Sequence, residues 1–352
     1  MEKIDTEKMN NKIKTIYSII DNNTRQWNIK VKNTPWRGGE SRNSYCFDIP
    51  GLDYKNKFDT IIQYLKRIFE INNNDESEAF DRAINQVCSG SGNEAEKITI
   101  LRSSSLCCLL NFYNVEKVPI KINCGNGEIE FNKAFFEVKN PVLNNPSNID
   151  VVLISKDKKT VLFLESKYAE YYLDNGPLDI STEYLNNIEI GQKFYTQNIL
   201  KRFNFLIMPG TNNEILKFTD SDGREKFTVD SQINIDGKHK SYVGGIKQMV
   251  SHYIGINNFL KAEKRVIKNE KTKEELKLPN DTKFYLGEIV FDFPPETEIT
   301  AYLTDYEEKY KILQEVLSQN KKINFLPKIL HYSEYKNRLN EVIKKFYWGI
   351  EK

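Results

Sequence analysis

The chain has 352 residues, 39% hydrophobic and 12% aromatic, enough to bury a sizeable core and too apolar for disorder throughout. Its 51 Lys and Arg against 49 Asp and Glu leave a formal charge of +2, which excludes a polycationic nucleic-acid coat but permits a local basic groove. Five cysteines without CxxC or framework spacing read as reduced thiols of a cytoplasmic protein, and three scattered histidines (His239, His252, His331) exclude a zinc set.

Met1 to Lys14 lacks an apolar h-region, and no window approaches the ~18 apolar residues of a spanning helix, so neither a signal peptide nor a membrane partner is expected. Residues 1–30 place Ile13, Ile16, Ile19 and Ile20 at helical spacing. A loop through Pro35-Trp36-Arg37-Gly38-Gly39 and Pro50-Gly51 follows. Phe58, Ile61, Ile62, Tyr64, Leu65, Ile68 and Phe69 predict a second helix, stopped at Asn72-Asn73-Asn74. Ser89 to Gly92 reads as a turn, and Asn93 to Asn111 as a helix with an apolar, buried second half.

The period then shortens towards two. Strands are expected at 133–139, 149–155 and 160–167, the last two joined as an antiparallel hairpin across the polar turn Lys156 to Lys159. Residues 171–240 are heterogeneous, with an apolar run (Phe203 to Met208), a Pro209-Gly210 turn and a polar stretch, and read as an insertion with its own hairpin. Gly244 to Lys264 reads as a helix, Phe284 to Phe293 as a strand, and Ala301 to Gln319 and Tyr332 to Tyr347 as closing helices. The expectation is an α/β core over 93–293. A helical elaboration (1–92) precedes it, and C-terminal helices (294–352) pack on it.

The segment Asn148 to Lys167 carries the chemistry. A hairpin centred near Asp157 sets Asp150 beside Leu164 and Glu165, so two carboxylates distant in sequence meet at one sheet end. Glu165 and Lys167, two apart, project from one strand face. Carboxylates ending an apolar strand pair repel each other and resist desolvation, and a hard divalent cation offsets both, with the Ser166 backbone carbonyl as a further oxygen ligand. Lys167 can then orient or deprotonate a water and neutralise a phosphoryl oxygen. The bare ExK or DxK string has no value, since it recurs at Glu137/Lys139, Asp53/Lys55, Asp236/Lys238, Asp281/Lys283, Glu307/Lys309 and Glu334/Lys336. Context selects Glu165: an apolar strand before it and a lone acid at the matching register. A solvated strand end with a surface Glu–Lys pair is the bland alternative.

This pattern resembles the PD-(D/E)xK nuclease superfamily, whose core runs helix, three antiparallel strands, helix and further strand. The run Glu165-Ser-Lys-Tyr-Ala-Glu170, the Ser104-Ser105 helix ending in Asn111, and Gln248 on the following helix are similar to a bacterial restriction-endonuclease-like branch. Ile149 stands in the place of the name-giving Pro, and Leu106 where a polar residue follows the serines. The resemblance implies a restriction-endonuclease-like core, a central mixed sheet flanked by helices. It also implies Mg2+-dependent hydrolysis of DNA in restriction or phage defence, with Mn2+ able to substitute. Asp150, Glu165 and the Ser166 carbonyl would hold the metal, Lys167 would act on the water, and Gln248 would contact the scissile phosphate. Glu94 or Glu96 could add a carboxylate. Nucleic acid, DNA before RNA or branched DNA, is the implied partner, and a homodimer is allowed. A degenerate nuclease-fold scaffold is the non-enzymatic alternative.

Lys261, Lys264, Arg265, Lys268, Lys271 and Lys273 cluster after the Gln248 helix as a candidate DNA groove, although Glu263, Glu270, Glu274 and Glu275 interleave with them. No Walker motif appears, and Gly125-Asn126-Gly127 lacks nucleotide-loop context. Ser103 to Ser105 have no nearby histidine. Lys344-Lys345-Phe346-Tyr347-Trp348 reads as a packed amphipathic helix.

Overall fold

The N-terminal isoleucine pattern forms α1 (Asn11–Thr24), which buries Ile16, Tyr17 and Ile20. Strands β1 (Val31–Pro35) and β2 (Asn43–Phe47) pair antiparallel, where a loop was expected around Pro35. Helix α2 (Phe58–Ile68) follows the predicted apolar stripe. The asparagine run that stops it also starts another helix, α3 (Asn74–Val87), because the Asn73 side chain accepts the Asp75 N–H at 3.0 Å. The computed structural model describes residues 11–24, 29–35, 43–50, 58–88, 97–142, 146–173, 178–181, 206–208, 217–219, 221, 223, 225–230, 243–262, 264–295, 297–318 and 322–349.

Of the helix expected over Asn93 to Asn111, the second half forms as α4 (Ser104–Phe112), while residues 93–96 lie outside the described residues. Ser103 caps it, accepting the Leu106 N–H at 3.2 Å, so the serine run begins the helix instead of lying inside it. Residues 98–103 form turns, and Ile100 bridges Cys46. Next come β3 (Ile120–Asn123), β4 (Glu128–Pro141), β5 (Pro146–Ser155) and β6 (Thr160–Lys167). The β5–β6 turn sits where the sequence puts it: Asp157 accepts the Ser155 hydroxyl at 2.6 Å and the Lys159 N–H at 3.0 Å. Helix α5 (Glu170–Leu173) leads into the 171–240 region. There β7 (Leu178–Ser181), β8 (Leu206–Met208), β9 (Lys217–Thr219) and β10 (Glu225–Asp230) form a separate four-stranded sheet around β10.

Helix α6 (Val243–Lys261) precedes the small hairpin β11 (Val266–Lys268) and β12 (Glu275–Lys277), then β13 (Lys283–Val290) and α7 (Ile299–Leu317). The chain closes through β14 (Asn324–Phe325), β15 (Leu330–His331), a 3-10 helix (Tyr332–Arg338) and α8 (Glu341–Trp348). The single helix expected over Tyr332 to Tyr347 is thus broken in two. Asn340 turns its side chain to cap Ile343 N–H at 2.9 Å, which starts a new helix there.

Among the described residues, seven strands make one mixed sheet in the order β14-β13-β6-β5-β4-β3, with β15 also on β13. Strands β4, β5 and β6 are antiparallel, and β13 is parallel to β6, as a connection through a helix allows. Every residue of β6 is buried, which explains its continuous apolar run. Helix α6 lies so close to the sheet that a Cβ on Gly255 would stand 2.9 Å from Asn140 Cβ, so glycine is needed there. No helix among the described residues is long and apolar enough to cross a membrane, and none of the five cysteines forms a disulfide.

The 3-10 helix is fastened by Arg338, which donates to the backbone carbonyls of Asn111 (3.3 Å), Val118 and Pro119 (3.3 Å). Burial pushes its guanidinium down to about 10, still charged at neutral pH. Arg338→Ala removes the donor to the part-buried Asn111 and Pro119 carbonyls and is expected to lower stability by about 1–3 kcal/mol, read as a shift in the urea midpoint. An unchanged midpoint would show that the link carries no stability.

Candidate active site

The site lies where the β5–β6 ladder ends. The last paired residues are Val151 and Leu164. One step further the strands part, and the Asp150 carboxylate reaches across: its Oδ2 accepts the Ser166 N–H at 2.7 Å. A side chain thereby replaces the missing ladder bond. Lys167's carbonyl accepts from Phe291 N–H on the β13 side, so by alternation Ser166's own N–H and carbonyl face the opened gap beside Asp150.

Glu165 and Lys167 share the face that carries Phe163, whose ring packs against Phe259 of α6. Both are buried, 3% and 4% exposed at the side chain, and paired directly between Nζ and Oε1. Glu165's other oxygen, Oε2, lies 2.7 Å from His252 Nε2, and His252 Nδ1 is hydrogen-bonded to Ser147 Oγ. On the opposite face Ser166 Oγ meets Tyr332 Oη at 2.7 Å and donates to the Ser104 carbonyl at 3.3 Å.

On β13, Glu288 is the register partner of Glu165. It is wholly buried; its Oε2 accepts the Tyr306 hydroxyl at 2.6 Å, and its Oε1 has no hydrogen-bond partner among the described residues. Across β4 the ladder skips the step between Phe136–Val151 and Val138–Ile149, where Glu137 faces Asp150 with φ of 49°. Glu137, Asp150, Glu165 and Glu288 thus stand at one level across four strands.

These carboxyls titrate apart. Burial alone would raise Glu165, but the Lys167 and His252 charges and hydrogen bonds override it and hold the group down at about 2. Asp150 goes up, through burial and then the Glu165 charge, against the pull of Lys167 and the Ser166 N–H. Burial pushes Glu288 up to about 8 although Lys167 and the Tyr306 hydroxyl oppose it. One carboxylate is firmly ionised between two neighbours that resist ionisation, a spread typical of sites and of structural ion networks alike.

In kind, the donors suit a hard divalent cation: two carboxylates, a backbone carbonyl in the gap, and the orphaned oxygen of Glu288 nearby. Among the described residues no three His, Cys, Asp or Glu side chains converge as a ready metal site. The place beside Glu165 Oε1 is taken by the Lys167 ammonium, so a cation bound there must displace it.

The structure therefore brings together Asp150, Glu165, Ser166 and Lys167. Gln248 lies one turn before His252 on α6, hence on the same stripe as the residue that reaches Glu165. Glu94 and Glu96 lie outside the described residues. The basic cluster divides. Lys261 lies nine residues beyond His252, about 13 Å along the helix at ~1.5 Å per residue. Lys268 pairs with Glu270 at 3.7 Å, Glu270 also with Lys139 at 3.5 Å, and Glu274 with Lys133 at 2.8 Å.

Sequence reasoning missed His252, Ser147 and Glu288. Glu288 carried a signal, being a lone acid inside the apolar run Phe284 to Val290, the same feature that singled out Asp150. His252 sits among Met249, Val250, Tyr253 and Ile254, all buried, where a polar side chain needs a partner. No protein-family model matches the chain, and no curated protein or solved structure shows significant similarity to it.

Proposed function

We propose that the chain is a divalent-cation-dependent nuclease that hydrolyses DNA phosphodiester bonds on a restriction-endonuclease-like core. The observation that carries this reading is the meeting of Asp150 and Glu165 across the parted end of β5 and β6, with Lys167 on the same carboxylate. The element order supports it: α4, the antiparallel β4, β5 and β6, α6, then β13 parallel to β6. Asp150, Glu165 and the Ser166 carbonyl would hold Mg2+ or Mn2+, which supplies Lewis acidity and an activated water when bound. Lys167, released from Glu165, balances charge on a phosphoryl oxygen, and Gln248 orders the phosphate. The exposed Lys261, Lys264, Lys268, Lys271 and Lys273 offer phosphate contacts, which would make DNA affinity fall by roughly 0.9 log units per log unit of salt for each phosphate neutralised.

The test is incubation with plasmid DNA, single-stranded DNA and RNA in Mg2+ or Mn2+ and in EDTA. Cation-dependent cleavage of DNA, lost in Asp150→Ala and Glu165→Ala, is expected. Cleavage of RNA alone would reassign the substrate, and cleavage of none would overturn the enzyme. The burial of Lys167 and its closed pair with Glu165 favour a second reading, a nuclease-like scaffold that binds nucleic acid without cutting. That reading expects DNA binding with no cation-dependent rise in melting temperature, since a ligand of the native state must raise it.

A further inference from the structure

The proposed chemistry leaves His252 without a role, although it is 3% exposed and spends both ring nitrogens on the site. We propose that His252, backed by Ser147, is a positioning residue: it holds Glu165 Oε2 so that Oε1 alone faces the position now filled by Lys167, where a divalent cation binds. This rests on the cation-dependent reading above.

An ionised carboxylate only accepts hydrogen bonds, so His252 Nε2 must be the donor to Glu165. The other ring nitrogen, Nδ1, is hydrogen-bonded to Ser147 Oγ, which fixes the ring plane. Ser147 is itself placed by the sheet, opposite Asn140 in the β4–β5 ladder. Asn140 also packs against α6 at Gly255, less than one turn beyond His252. Sheet and helix thus set the two ends of the relay independently. Without the ring, Glu165 could turn both oxygens to Lys167, and a cation would have to displace a two-point pair instead of a one-point pair. Partners that orient metal ligands in this way typically change affinity by about 10–100-fold when removed. A histidine that merely satisfies the core would change stability and leave affinity alone.

The test is Mn2+ titration by calorimetry on the full chain, with thermal melts as a folding control. His252→Leu is expected to weaken Mn2+ binding by about 10–100-fold. His252→Gln, which keeps a side-chain N–H donor, should recover most of the loss, and Ser147→Ala should lose less than His252→Leu. His252→Leu binding within about two-fold of the parent, or His252→Gln binding no better than His252→Leu, would overturn the role while leaving the cation-dependent reading intact. If His252→Leu does not fold, Ser147→Ala decides, and parent-like affinity in it overturns the role. No Mn2+ binding by the parent overturns both.

Discussion

Lys167→Ala is expected to lose about 3–5 kcal/mol of stability, because removing one member of a buried ion pair strands the other charge. Both side chains are almost wholly inaccessible, so water cannot take over the role of the ammonium. His252 remains on Oε2, which limits the damage without removing it. The pH dependence has a definite sign. Glu165 is depressed in the folded state, so its contribution is present above its ordinary value of 4.5 and is lost as pH falls towards about 2. The gap between parent and variant should therefore be widest at neutral pH and close on acidification. Millimolar Mg2+ should narrow the gap at neutral pH if the cation takes the ammonium's place, and EDTA should reopen it. Urea denaturation at two pH values, with and without Mg2+, reads all of this. A variant as stable as its parent at neutral pH would mean that the pair does not persist in solution.

Much of the sheet was legible because the β5–β6 segment is locally consistent: two apolar runs, a polar Lys-Asp-Lys-Lys turn and one possible centre. That consistency set the register, and the register alone put Asp150 beside Glu165. Boundaries set by side-chain caps were harder. Ser103, Asn73 and Asn340 each start a helix through one side-chain hydrogen bond, and in each case the apolar period on both sides looked continuous or absent. A further strand after the second helix was legible in the order of elements, but its parallel pairing with β6, and with it the matching of Glu288 with Glu165, required the register of strands more than a hundred residues apart. His252 was illegible for the same reason: its partners are Glu165 and Ser147, 87 and 105 residues away. Charge on the β11–β12 hairpin was harder to weigh from sequence. Of the cluster, Lys268 pairs with Glu270, while Glu270 and Glu274 also pair with Lys139 and Lys133 of β4.

Glu288→Gln is expected to stabilise the protein at alkaline pH, and the reason lies in the direction of its titration. Burial raises the folded carboxyl from 4.5 to about 8, so the folded state holds a proton that the unfolded chain has already released. Stability is then unaffected by this group below about 4.5, falls as pH rises through that window, and levels off above about 8. At about 1.4 kcal/mol per pH unit, full ionisation costs on the order of 3–5 kcal/mol. Glutamine has the same shape, keeps an oxygen for the Tyr306 hydroxyl, and carries no charge to bury. The variant should match its parent near pH 5 and exceed it increasingly towards pH 9, with melting temperature as the readout. An acidic neighbour sharpens the case: with Glu165 ionised at the paired position on β6, a second charge at Glu288 meets repulsion that Lys167 opposes. A difference between parent and variant that does not change between pH 5 and 9 would show that Glu288 is not titrating in the folded protein. A difference that grows in the opposite sense would mean that the ionised carboxylate is the form the fold prefers, with a cation or Lys167 drawn onto its unpartnered oxygen.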